Sequence, residues 1–411
     1  MTVKVNLPFG QGLLSLEIDE SRPVESVAPA RAPPDAVALT KSLAEPTGLE
    51  DLKTFIEKRK RLLVVVNDHT RPTPSGTVLK HLGLRGKEVT TVIASGSHRS
   101  PNAGEMRGIL GGEVPPYGGR VLVHDSRQES SLRPLGKTSK GTPLSFSRLV
   151  FEADGIIVVG SVEPHYFAGY TGGRKFLLPG LASLESIVMN HSLAADERSK
   201  ILALEGNPVH EDMMEALEVF GRFDDIFSIQ LVVNAEHEIS YANSGHIVRS
   251  FESAIEHAKE IYVPTVSEPA DVVISVAKPP LDIDLYQSQK ALDNVKLAVK
   301  QDGVIILVSP CRDGVGDRGF YDLLASGPEM KSGVHKFGYH KAVKMANLLG
   351  RARVFAVTNL PPDVLRKISL EPYPDVQAAL ERATELKGKN SRILLVVDGC
   401  TTVPLPKQNG D

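Results

Sequence analysis

Apolar residues along this 411-residue chain fall in short unbroken runs more often than in alternation. The first set is LLVVV (62–66), EVTTVIA (88–94), RVLVH (120–124), GIIVVG (155–160) and SIQLVVN (228–234). A run that is apolar at every position suits a strand buried on both faces, the mark of a parallel sheet covered by helices. Helical spacing fills the gaps, in GLEDLKTFIEKRK, SGTVLKHLGL, SLESIVMNHSLAA and NPVHEDMMEALEVF. The last of these opens with Asn207 before Pro208, a helix start with proline at its first position. A second set follows from Asp271: DVVISVA, GVIILVS, ARVFAVT and RILLVVD, interleaved with helical segments such as YPDVQAALERATELKGK. The opening MTVKVNLPFGQGLLSLEID alternates and predicts a β-hairpin.

The predicted fold class is therefore α/β, with two domains that each carry a largely parallel sheet flanked by helices. The expected division is 1–265 and 266–411, with the join inside KEIYVPTVSEPA (259–270) and the active site in the cleft between the domains. The proline-rich SRPVESVAPARAPPD (21–35) reads as an extended connector.

Bulk composition changes this picture little. A formal net charge of −3 gives no support to a nucleic-acid binder. No run approaches the roughly 18 apolar residues of a membrane span. The amino-terminal residues lack a signal-peptide pattern, which makes a reducing cytoplasm the expected location. Two distant cysteines, Cys311 and Cys400, offer neither a thiolate metal site nor a disulfide framework.

Ligands of open α/β sheets sit beyond the carboxyl ends of the strands, so the residues that leave each strand carry the chemistry. Those exits read NDHTRPTP, SGSHRSP, GSVEPHYFAGYTGGRKFLLPG and KPPLDIDLYQSQK. His98 and His165 leave two different strands, and imidazole is the side chain best suited to move protons near neutral pH. Arg71 and Lys290 are cations able to clamp a carboxylate, and Asp68 is placed to orient Arg71 or a histidine. Gln287 and Lys290 share a helix face. An ordinary solvated face would look the same, just as DHTRPTPSG alone would pass for a proline turn. His191 lies on an apolar-periodic helix with no His or carboxylate at i+3 or i+4, so a metal there needs donors from elsewhere. Lys175 stands beside an apolar run, where desolvation favours a nucleophilic amine. Gly172 and Gly173 permit close backbone approach to a bulky ligand. The loop fits neither a phosphate-loop nor a dinucleotide fingerprint.

At DHTRP (68–72), GSHR (96–99), EPHYFAGYTGGRKFLLPG (163–180), NH (190–191) and YQSQK (286–290) the sequence resembles the nickel-dependent lactate racemase family. The motif around His165 and Lys175 is the specific one. The resemblance implies a nickel-pincer nucleotide, a pyridinium-3-thioamide-5-thiocarboxylate mononucleotide carrying nickel, attached covalently to Lys175 and cradled near Gly172 and Gly173. It implies that His191 donates to the nickel and that His98 and His165 are the acid/base pair. Asp68, Arg71, Gln287 and Lys290 are then the residues that orient the substrate. The implied reaction is racemisation or epimerisation of a 2-hydroxy acid, lactate or a relative, by reversible hydride transfer to the pincer. Proteins that build and load the cofactor are the expected partners. None of these residues reads the far end of a substrate, so a dicarboxylate or sugar acid stays open. A non-catalytic cofactor-binding protein would keep Lys175 and the glycines but have no need of both histidines.

Overall fold

The strand Arg61–Asn67 shows why its sequence is apolar at every position. Leu62, Val64 and Val66 join Ile93, Ile157 and Val159 in one core, while Leu63 and Val65 join Val92, Ile156 and Val158 in another. Successive side chains point to opposite faces, so a sheet covered on both sides needs both sets. Each fully buried aliphatic side chain contributes roughly 1.5–3 kcal/mol. The computed structural model describes residues 2–71, 73–327 and 338–407, which leaves Pro72 of the DHTRP segment outside. The chain forms two compact units, Arg31–Ile261 and a second made of Met1–Ala30 with Tyr262–Asp411.

In the first unit a six-stranded sheet runs, edge to edge, Ile239–Gly245, Ile226–Val233, Gly155–Ser161, Arg61–Asn67, Glu88–Ala94 and Arg120–Val123. All neighbours pair in parallel except the first edge strand. From Arg61–Asn67 the chain proceeds to one side through Glu88–Ala94, then returns to the other side at Gly155–Ser161. In open α/β sheets such a reversal marks the carboxyl end of the strands as the place for a ligand. Asp68, His98 and His165 all leave through this end.

The second unit repeats the plan with six parallel strands, ordered Glu371–Pro372, Arg353–Val357, Val299–Val308, Ala270–Val276, Ile393–Val396 and Val24–Val27. Its two cores again divide alternate residues, Val273, Ile305 and Leu307 from Val272, Ile274 and Ile306. The opening hairpin Thr2–Phe9 with Gly12–Asp19 forms as predicted.

Two expectations need correction. Part of the proposed connector, Val24–Val27, is an edge strand of the second sheet, paired with Ile393–Val396. Four residues of mixed polarity leave too short a pattern to read. The 1–265 division also assigns residues 1–30 to the wrong unit, because that edge strand ties them to the carboxyl-terminal sheet. Among the described residues no helix is long and apolar enough to cross a membrane. Cys311 and Cys400 are buried free thiols.

Candidate active site

Asp68 directly follows the strand Arg61–Asn67, and its neighbour Glu88–Ala94 feeds the turn that carries His98. The pairing of Asn67 with Ala94 brings the two exits level. Asp68 Oδ2 lies 2.7 Å from His98 Nδ1, and Oδ1 accepts from the Thr70 hydroxyl at 2.7 Å and the Thr70 amide at 3.2 Å. Burial alone would push the Asp68 carboxyl up. The bonded His98 ring, the Thr70 hydroxyl and nearby Arg71 outweigh that and hold it well below the usual carboxylate range. An ionised carboxylate only accepts, so His98 carries a proton on Nδ1 and its Nε2 keeps a lone pair when neutral.

This geometry favours the reading in which Asp68 orients a histidine. Both of its oxygens are engaged and the residue is 5% exposed, so it orients His98 and does not itself reach outward. Beyond His98 the loop is fixed by Arg99, which forms a two-pronged pair with Glu105 at 2.7 Å for each bond. Glu105 also closes the capping box with Asn102. The Arg99 bonds push the Glu105 carboxyl down to about 2.

His165 sits in a two-residue ladder, Pro164–His165 against Gly169–Tyr170. The turn aims the Ala168 backbone N–H at His165 Nδ1, 3.3 Å away. An N–H can only donate, so neutral His165 carries its proton on Nε2, opposite to His98. Buried Phe167 sits between the remaining candidates. Its ring meets the His165 ring edge-on at 4.6 Å and the His191 ring at 5.0 Å, and Lys175 Nζ lies 5.6 Å from its centroid. Asn207, the cap of helix Pro208–Phe220, donates to the Phe167 carbonyl at 2.8 Å and pins it. His165, Lys175 and His191 are thereby gathered around one aromatic ring.

Gly172 and Gly173 have positive φ, +81° and +50°. A Cβ on Gly172 would lie 2.5 Å from Gln230 Oε1, and one on Gly173 2.8 Å from Phe251. Packing inside the unit accounts for both glycines, which differs from the expected need for a close ligand. Arg174 is fully buried, donates to the Ala168 carbonyl at 2.7 Å, and burial pushes its guanidinium down to about 9. It holds the loop closed on itself.

Gln287 and Lys290 lie on helix Leu285–Asp293 of the second unit, capped by Asp284, which accepts from the Gln287 amide at 2.7 Å. Lys290 donates to Gln287 Oε1 at 2.9 Å, and both side chains are buried. A solvated helix face is thus ruled out for them. Arg71 is half-buried, with its backbone N–H bonded to the Asp68 carbonyl.

Among the described residues no three carboxylates, thiols or imidazoles converge to hold a metal by themselves. A metal at His191 would take its other donors from a bound group. Sequence reasoning passed over Phe167, Asn190 and Thr70. Phe167 stands inside the motif already quoted, but only the folded turn reveals that three candidates share its ring.

The family model for the lactate racemase N-terminal domain matches residues 9–202, and that for the lactate racemase C-terminal domain matches 265–403. A lactate racemase of Thermoanaerobacterium thermosaccharolyticum is 29% identical over 97% of this chain and 98% of its own. One from Lactiplantibacillus plantarum is 26% identical over 97% of this chain and 98% of its own. The solved lactate racemase apoprotein of Thermoanaerobacterium thermosaccharolyticum superposes with a TM-score of 0.87 at 27% identity, covering 98% of this chain and 100% of that one. A Thermotoga maritima protein at 21% identity and TM-score 0.68, covering 87% of this chain and 97% of its own, shares the fold.

Proposed function

The chain belongs to the lactate racemase family, and on that premise we propose that it interconverts the enantiomers of a 2-hydroxy acid, with lactate as first candidate. The observation that carries the reading is the opposite proton placement on His98 and His165. An alcohol oxygen must give up a proton, and the carbonyl oxygen that replaces it must receive a hydrogen bond. His98, backed by Asp68, offers the acceptor; His165, turned by the Ala168 amide, offers the donor. In either direction His98 Nε2 takes the hydroxyl proton and returns it once the hydride has gone back to the opposite face, while the His165 Nε2–H stays hydrogen-bonded to the same oxygen. Arg71, Gln287 and Lys290 would hold the carboxylate, by charge and by directed hydrogen bonds.

A hydrogen on carbon beside a carboxylate is a poor acid, so removing it as hydride avoids a dianionic carbanion. The nickel-pincer nucleotide, when bound, supplies the hydride acceptor and the sulfur donors for nickel. The residues present fit it. Lys175 carries an amine beside an aromatic ring, and His191 offers one imidazole against the same ring. Lys175 would tether the nucleotide and His191 would donate to the metal. The other partners in this reading are the proteins that build and load the nucleotide, in a reducing cytoplasm.

The test is matured protein incubated with a panel of single-enantiomer 2-hydroxy acids and read by chiral chromatography. For lactate, two enantiomers of equal free energy require equal kcat/KM in both directions. A substrate with further stereocentres gives unequal values and would identify an epimerase. Conversion of none would remove the proposal.

A further inference from the structure

Asn190 and His191 are adjacent on helix Leu184–Ser192, and the amide of Asn190 can be oriented without ambiguity. One of its two terminal atoms lies 2.8 Å from Asp212 Oδ2 and 3.3 Å from the Val209 carbonyl oxygen. Both neighbours are acceptors, so that atom is the nitrogen, Nδ2. The other terminal atom, Oδ1, then faces His191 Nδ1 at 3.2 Å. An amide oxygen only accepts, so His191 Nδ1 must carry the proton and Nε2 the lone pair.

Asp212 is what sets this orientation. It is fully buried on helix Pro208–Phe220 and also accepts from the Thr138 hydroxyl at 2.5 Å and the Thr142 hydroxyl at 2.8 Å. Those two threonines flank the turn between strands Leu132–Lys137 and Pro143–Ser147. Two hydroxyls and one amide thus hold a carboxylate inside the protein, in an environment where an unmet acceptor would be costly.

We propose that Asn190 and Asp212 are positioning residues that fix His191 in the Nδ1–H tautomer and so leave Nε2 as the nitrogen offered to a metal. The tautomer follows from the hydrogen bonds alone; its use by a metal rests on the reading of His191 as the nickel donor. Metal-bound histidines owe their ring orientation and basicity to such partners, whose loss costs about 10–100-fold in metal affinity or activity.

The experiment is a long-range 1H–15N spectrum of protein labelled with 15N-histidine, recorded above neutral pH, with His191 assigned through His191→Gln. The wild type should show a protonated Nδ1 and an unprotonated Nε2. In Asp212→Asn the charged acceptor that orients Asn190 becomes neutral, and part of the His191 proton population should move to Nε2. Asn190→Ala removes the acceptor, and His191 should revert to the Nε2–H form that free imidazole side chains prefer. His124 Nε2 donates to the Ala182 carbonyl at 2.9 Å, so its unchanged signal reports an intact unit. A wild-type His191 protonated on Nε2, or an unaltered Nδ1–H in Asn190→Ala, would overturn the proposal. Should Asp212→Asn not fold, the wild-type and Asn190→Ala spectra decide alone. A second arm follows nickel retained by matured protein under a chelator. Asn190→Ala should lose it about 10–100-fold faster, and nickel loss at the wild-type rate would overturn the metal part of the proposal. If His191→Ala instead retained nickel like the wild type, the donor reading would fall while the tautomer relay stood.

Discussion

Asp68 and His98 are 30 residues apart in sequence yet share a 2.7 Å hydrogen bond, because the strands they leave are parallel neighbours in register. The bond fixes which ring nitrogen of His98 is basic, and the burial of Asp68 keeps water from competing for it.

Asp68→Asn should therefore cripple turnover without unfolding the protein. The amide would present an N–H to His98 Nδ1 and move the ring proton to Nε2, where a base is needed. We expect kcat to fall by about 10²–10⁴-fold while cofactor loading is unchanged. Turnover within a fewfold of wild type would refute the orienting role.

Phe167→Leu should separate packing from chemistry. The swap keeps the site apolar and should cost on the order of 1–1.5 kcal/mol of stability. It removes the flat ring that spaces His165, Lys175 and His191, and misplaced reacting groups can lose on the order of 10²-fold in rate. A variant as active as the wild type would show that the shared ring is incidental.

Lys175→Ala should abolish the mass that maturation adds to the polypeptide. Intact-protein mass spectrometry of matured wild type and variant makes the comparison. An adduct of equal size on both would place the attachment elsewhere.

Acid should loosen the His98 loop through Glu105. Its pKa is lowered in the folded protein, so its contribution to stability is present in full above the ordinary carboxylate range, about 4.3, and is lost as pH falls toward about 2. The stability difference between wild type and Glu105→Gln, followed by denaturant unfolding, should narrow steadily below about pH 4.3. A difference that stayed constant across that window would contradict the assignment.

Much of the fold was legible because its strands are apolar at every position and its helices carry their caps in sequence, as Asn207–Pro208 does. The edge strand Val24–Val27 was not, since VESV is apolar only at its two ends, four residues are too few to show a period, and two prolines stand nearby. At the site, residue types and strand exits exposed His98, His165 and Lys175. They could not show that Asp68 is consumed by His98, that Lys290 and Gln287 are buried, or that Gly172 and Gly173 answer to Gln230 and Phe251. Those facts depend on which loops meet in space. Asn190 and Asp212 were hidden for the same reason, being joined across two helices.

The central claim is that the histidines handle only the hydroxyl proton while the hydrogen on carbon moves as hydride within the site. Matured protein in ordinary water, given one enantiomer of lactate deuterated at C2, tests it directly. The account predicts that the opposite enantiomer appears with its deuterium retained. Product carrying hydrogen from solvent at C2 would mean that a base removes that hydrogen as a proton, and would contradict it.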